Sequence, residues 1–282
     1  MRTFLDKLRE LKEKEVLNRK NGINENQLRH EVSNLGKAPD FRKNLIRNSK
    51  DQISLICEVK QRAPGRINVD QLKTEALVKD FERGGAKAIS VLTDQSWFGG
   101  SLNILEQVSK VTTLPLMHKE FILNSYQLLE GRLRGASAAL ILAYYFQKKE
   151  LGKIVKEAEN IGLEAVVECS VENELPRALA INPDILMINN RPIAAIPENP
   201  SETYDKGNIR VTSNWWRSYP ELRSWKKQPG KLLISASCIN SSEDVKSILK
   251  IPCDAVLIGN AAMTAHDRVG FLRSLTESIN QF

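Results

Sequence analysis

The stretch "LISASCINSSEDV", Leu233–Val245, reads as a short buried strand, a turn and the start of a capped helix. Leu233 and Ile234 open an apolar run, as in a strand covered on both faces. Ser241 and Asp244 have the spacing of a capping box, in which hydroxyl and carboxylate each accept a backbone N–H at a helix start. Polar Ser237 and the thiol of Cys238 stand where the strand ends. One such unit decides little. Its repetition along the chain decides the fold.

Eight runs have the same apolar character: "ISLICEV", "AISVLT", "LPLMHK", "AALILA", "EAVVEC", "ILMIN", "LLIS" and "AVLIG". Between them lie amphipathic segments such as "VDQLKTEALVKDFERGG", where Leu72, Ala76 and Phe81 are expected to share one face, and "KKELGKIVKEAENIG". Buried strands alternating with helices predict a parallel sheet covered by helices, and eight units fit a closed α/β barrel of the (β/α)8, or TIM, class. The alternative, a doubly wound open sheet, should carry a Gly-rich nucleotide turn after an early strand, and none is present. Ahead of the first strand, Phe4, Leu5, Leu8, Leu11 and Val16 recur at helical spacing, and Phe41 and Leu45 begin a second helical piece. Residues 1–48 are therefore expected to form a helical extension packed on the barrel, and 49–282 the barrel itself. The sixth connection, Pro192 to Lys231, is long enough to hold a lid as well as a helix. Its Trp215, Trp216 and Trp225 are expected to pack that helix on the barrel, with an aromatic wall over a substrate as the sharper alternative.

The chain has 282 residues, 41% hydrophobic and 27% charged, which suits one large domain able to bury a core without disulfides. Its net charge of +7 is spread among interleaved acids and bases, with no basic stripe, so attraction of an anionic small molecule is expected rather than nucleic-acid binding. Cys57, Cys169, Cys238 and Cys253 form no CxxC pair, and His30, His118 and His266 are scattered, so no metal is expected. The first twenty residues are too charged for a secretory leader and no apolar run approaches a membrane span. A cytoplasmic monomer or homodimer with no membrane partner is expected.

A set of charged and polar residues stands at the C-terminal ends of the strands. Glu58 and Lys60 end the first strand two apart, Asn189 and Arg191 the sixth, Lys119 the third and Glu168 the fifth. Residues two apart in a barrel strand face the same way, and the C-terminal face of such barrels carries the active site. Isolated charges there are costly, so lysines and glutamates must pair. A plug of structural ion pairs explains any one pair. It is strained as an explanation for two lysines, two glutamates, an arginine and an asparagine at one rim, which can instead act as general acids and bases.

At these residues the chain resembles the indole-3-glycerol phosphate synthase family. The resemblance runs over nearly everything after residue 40. "ICEVKQRAPG" is similar to the family's first strand, E-x-K-x-x-S-P-S, and "AISVLTDQSWFGGSLNIL" to its second. "LPLMHKEFILNSYQLLEGRLRGASAALIL" is similar to the third and fourth, "GLEAVVECSVENEL" to the fifth, "INNR" to the sixth and "VLIGNAAM" to the eighth. The resemblance implies a decarboxylating ring closure on an N-arylamino ketose phosphate without a cofactor. It implies Lys119 as general acid, Glu168 as general base, Lys60 as the second lysine and Glu58 as its placing glutamate. It also implies substrate contacts by Asn189, Arg191, the aromatic Phe98, and Ser237, Gly259 and Asn260 on the last two strands.

The departures cluster on the substrate side. The family's seventh strand ends E-S-G, where this chain has Ala236-Ser237-Cys238, losing a carboxylate and a phosphate-facing glycine. Ala63-Pro64-Gly65 replaces S-P-S, and Pro192-Ile193 replaces Asp-Leu after "INNR". A side chain at the glycine obstructs backbone approach to a phosphate. Acid–base chemistry kept on a changed substrate is one reading. It resembles the cyclase of scytonemin pigment biosynthesis, a family member that acts on a β-keto acid carrying an indole and a phenol ring, in secondary metabolism. A divergent indole-3-glycerol phosphate synthase of tryptophan biosynthesis is the second reading, and a non-catalytic barrel that binds small molecules is the third.

Overall fold

The computed structural model describes residues 4–47, 53–62, 74–193 and 207–277. Three helices come first: α1 (Phe4–Lys20), α2 (Glu25–Ser33) and α3 (Phe41–Leu45). The alternating part then runs β1 (Ser54–Val59), α4 (Thr74–Arg83), β2 (Ala86–Leu92), α5 (Gln95–Phe98), α6 (Leu102–Val111), β3 (Leu116–Lys119), α7 (Ser125–Leu133) and β4 (Ala138–Leu142). It continues with α8 (Lys148–Asn160), β5 (Glu164–Cys169), α9 (Leu175–Leu179), β6 (Ile185–Asn189), α10 (Val211–Ser218) and α11 (Pro220–Lys226). It closes with β7 (Leu232–Ala236), α12 (Ser242–Leu249), β8 (Ala255–Ile258), α13 (Asn260–Thr264) and α14 (Arg268–Glu277).

The eight strands form a closed barrel in chain order, each parallel to the next, with β8 returning to β1 through Ser54–Ala255 and Cys57–Ile258 registers. All eight expected strands are present. Their residues are buried almost throughout, which is why each reads as a continuous apolar run rather than an alternating one. Polar caps mark the strand-to-helix turns: Asp94, Ser101, Asn124 and Ser241 each accept a backbone N–H at a helix start. The Ser241–Asp244 capping box is formed in both directions.

Some faces differ from expectation. On α4 the buried residues are Leu77, Val78 and Phe81, and Ala76 is exposed, because a turn of 3.6 residues brings 77, 78 and 81 onto one stripe. Leu72 lies outside the described residues. On α1, Leu5, Leu8 and Val16 are buried but Leu11 is 39% exposed, and its neighbour Lys12 is buried in its place. The helix α2, between the two expected pieces, carries too few apolar residues to announce itself; Leu28 and Val32 bury against Val16, Tyr126 and Leu129.

The N-terminal helices meet the barrel at both ends. Arg9 of α1 donates to the Tyr145 carbonyl just beyond β4. At the opposite end α3 crosses the strand starts: the Arg42 backbone N–H donates to Glu164 at 3.1 Å, Asn44 to the Lys87 carbonyl, and Arg47 to the Cys253 carbonyl at 3.3 Å. Phe41 and Leu45 are wholly buried there. Phe41→Ala is expected to lower unfolding free energy by about 3–5 kcal/mol, the usual cost of an emptied aromatic site. Urea titration with an unchanged m-value measures it, and a loss below about 1 kcal/mol would mean that Phe41 does not seal the barrel floor.

Candidate active site

The C-terminal strand ends surround one cleft of about 950 Å³, counting its open mouth. Glu58, Lys60, Phe98, Lys119, Glu168, Asn189, Arg191, Ser237, Gly259 and Asn260 all line it, so the structure gathers every expected site residue into one place. Leu140 and Leu142, two apart on β4, and Leu257 add an apolar floor.

Glu58 is the centre of the charge arrangement. Its Oε2 accepts from Lys119 Nζ at 2.7 Å and its Oε1 lies 3.0 Å from Lys60 Nζ. Burial alone would push this carboxyl up, but the two ammonium groups outweigh it and hold it at about 2. Burial brings Lys60 below its ordinary value, with Glu58 opposing and Lys119 and Arg191 adding repulsion. Glu168 sits across the mouth. Its Oε1 accepts from Asn189 Nδ2 at 3.1 Å, while its buried Oε2 has no hydrogen-bond partner among the described residues. Burial raises its pKa, only partly offset by Lys119. The cleft therefore holds one carboxylate fixed as an anion and another disposed to take and release a proton.

Gly259 makes the close packing possible. A Cβ there would stand 2.5 Å from Glu58 Oε1 and 3.1 Å from Lys60 Nζ. Asn189 also orders the next turn, its Oδ1 accepting the Arg191 backbone N–H at 3.1 Å.

One wall is aromatic. Phe98 and Phe121 stack with centroids 6.4 Å apart and planes inclined 28°. Phe121 and its neighbour Glu120 were not singled out from sequence. A signal existed in "HKEFIL", where an acidic and an aromatic residue directly follow the strand-ending Lys119. The rest of the rim mixes apolar Pro192, Ile193, Ile239 and Ala261 with polar Arg191, Ser237, Asn240 and Asn260. The tryptophans of the sixth connection do not reach the cleft. Trp215 and Trp225 are buried on the barrel, and Trp225 Nε1 donates to the Pro183 carbonyl at 2.8 Å. Packing, rather than an aromatic wall, accounts for them, because α10 and α11 must bury a face against β6 and α9. Residues 194–206, part of the connection long enough to hold a lid, and Ala63-Pro64-Gly65 lie outside the described residues.

The turn after β7 is the most unusual backbone in the site. Ser237 and Cys238 have φ of +69° and +63°, both left-handed without being glycine. Buried Asn190 holds the turn: its Nδ2 donates to Ser235 Oγ at 3.0 Å and to the Ser237 carbonyl at 3.1 Å, and its Oδ1 accepts from Thr212. The Cys238 thiol lies at the cleft edge, 3.8 Å from the Asn190 carbonyl, filling space over Gly207.

Comparison with known proteins agrees with this geometry. The family model for indole-3-glycerol phosphate synthase matches residues 5–203. Indole-3-glycerol phosphate synthase of Staphylococcus haemolyticus is 34% identical over 82% of this chain and 82% of its own length. That of Desulforamulus reducens is 31% identical over 94% and 93%, and that of Prochlorococcus marinus strain MIT 9515 is 30% identical over 99% and 90%. Among solved structures, KGPDC from Streptococcus mutans superposes with a TM-score of 0.57 at 12% identity, covering 81% of this chain and 97% of its own, a likeness of fold alone. With its closed barrel, its paired lysines and glutamates at one mouth and these relatives, the chain belongs to the indole-3-glycerol phosphate synthase family of decarboxylating cyclases.

Proposed function

We propose that this chain closes a carbon–carbon bond with loss of carbon dioxide on an aromatic, indole-bearing β-keto acid that carries no phosphate, in scytonemin-type secondary metabolism. The observation that carries this reading is the Ala236-Ser237-Cys238 turn. Where the family has a carboxylate and a phosphate-facing glycine, this chain has the Ala236 methyl group at the end of β7 and the Cys238 thiol, with Ser237 and Cys238 on a left-handed backbone. Each non-glycine residue held there costs about 1–2 kcal/mol, so the turn is retained against its own strain. Apolar Ile193, Ile239 and Ala261, which line the cleft with the turn, offer contact to a second aryl group.

The chemistry then follows from the charges. Loss of carbon dioxide leaves an electron pair at the α carbon, and the β-ketone accepts it once its oxygen is hydrogen-bonded by an ammonium group. Lys60 or Arg191 holds the carboxylate before it leaves. Protonation of the α carbon restores the ketone; in ring closure an aryl carbon then attacks that carbonyl, Lys119 protonates the developing alkoxide, and Glu168 removes the aryl proton, leaving a ring alcohol. Glu58 does not titrate in this range and keeps both ammonium groups in place. No further cofactor enters this scheme.

Carbon dioxide release from an indolyl β-keto acid is the expected activity, and Lys119→Ala or Glu168→Gln is expected to reduce it by about 10²-fold or more. Wild-type release in either variant would assign the proton transfers elsewhere. Turnover of the family's arylamino deoxyribulose phosphate at about 1 s⁻¹ or faster, followed by indole fluorescence, would instead make this a tryptophan-pathway enzyme. Binding of both compounds without turnover of either would make it a binding protein.

The pH profile has a defined sign. Glu168 must be ionised to act as base and its pKa is raised, so kcat/KM rises with pH through a value above the ordinary carboxylate range of about 4.3. Lys60 must be charged to hold a carboxylate and its pKa is lowered, so activity falls again at a pH below that of ordinary lysine. An acid limb at the ordinary carboxylate value would remove Glu168 from the base role. Lys60→Ala should impair the β-keto acid more than its decarboxylated analogue; equal losses would refute the carboxylate role of Lys60.

A further inference from the structure

The aromatic wall of the cleft is tied to a residue of the N-terminal helix that never reaches the cleft. Lys12 on α1 is 1% exposed. Its Nζ lies 2.6 Å from Asp94 Oδ1, 3.3 Å from Glu120 Oε1 and 3.0 Å from Glu15 Oε2. Two of these carboxylates each hold the backbone of one wall residue. Asp94 Oδ2 accepts the N–H of Trp97 at 2.7 Å and of Phe98 at 3.1 Å, capping the short helix α5. Glu120 Oε1 accepts the Phe121 N–H at 2.8 Å, and its Oε2 accepts Thr93 Oγ1 at 3.1 Å.

The other end of α5 is held as well. Arg62 donates to the carbonyls of Gln95, Ser96 and Trp97. Thr93 joins the neighbouring strand ends, its N–H donating to the Lys119 carbonyl at 3.1 Å. Without Lys12, Asp94 and Glu120 would face each other as two buried anions. They would repel, and each would drag its aromatic ring with it.

We propose that Lys12 is a positioning residue for substrate: by clamping Asp94 and Glu120 with one ammonium, it sets the spacing of Phe98 and Phe121 for an aryl ring. The N-terminal helix is then part of the substrate site rather than only a cover for the barrel. The inference rests on the proposed reading that this wall receives the substrate's aryl group, and it holds for any aryl substrate.

Indole is the probe, since it needs only the aryl wall, and calorimetry on the full chain gives its affinity. Lys12→Met is expected to weaken indole binding about tenfold and to raise KM for the indolyl β-keto acid by a similar factor, with kcat within about threefold. If Lys12→Met does not fold, Lys12→Met/Glu120→Gln removes one buried charge of each sign and keeps an acceptor for the Phe121 N–H. Lys12→Arg should recover part of the affinity. A purely structural role would lower the melting temperature and leave indole affinity and KM of the folded protein unchanged, and that result overturns the proposal. Failure of wild type to bind indole overturns it too. Indole binding that responds to Lys12 in a protein that turns over no β-keto acid would support the positioning role and remove the functional reading instead.

Discussion

The structure depends on how a closed barrel accommodates charge. Alternate residues of eight parallel strands point to one axis, and polar groups at their C-terminal ends share one mouth. Two lysines can stand there only because Glu58 lies between them, 2.7 Å from one and 3.0 Å from the other. A buried ammonium without that partner would lose its proton. Once Glu58 is committed as the anion, Glu168 is left as the carboxylate whose protonation state can change. Gly259 follows from the same constraint, since any side chain would displace the carboxylate or the lysine beside it.

A second charged cluster, outside the cleft, works in the same way. Lys12, Asp94, Glu120 and Glu15 bury one ammonium among three carboxylates, and two of those carboxylates hold the backbone of the aromatic wall. The two clusters are joined through adjacent residues, Lys119 in one and Glu120 in the other. In the proposed scheme the general acid and one side of the aryl wall thus share the end of β3, which a helix far away in sequence fastens.

Strands were legible because burial on both faces leaves a local record. "EAVVEC" and "ILMIN" match β5 and β6 residue for residue. Helix faces were less so. Ala76 and Leu11 were expected inside and are exposed, since a small or apolar residue at roughly the right spacing does not define the face. Trp215 and Trp225 of the sixth connection pack on the barrel, as their place in a helix-bearing connection led one to expect. The left-handed backbone at Ser237 and Cys238 was also hidden, because neither residue type announces it.

The sequence by itself determined the eight-unit repeat, the barrel, the family and the set of polar residues at the mouth. Each of these is written in local pattern: apolar runs, two-residue spacing and short motifs. Only the tertiary structure decided which carboxylate is pinned and which is poised, that Phe121 completes the wall of Phe98, and that Lys12 belongs inside. Those facts depend on distances between segments up to 108 positions apart, such as Lys12 and Glu120. A buried lysine and an exposed one look the same in a sequence; the carboxylates that fold around it make the difference.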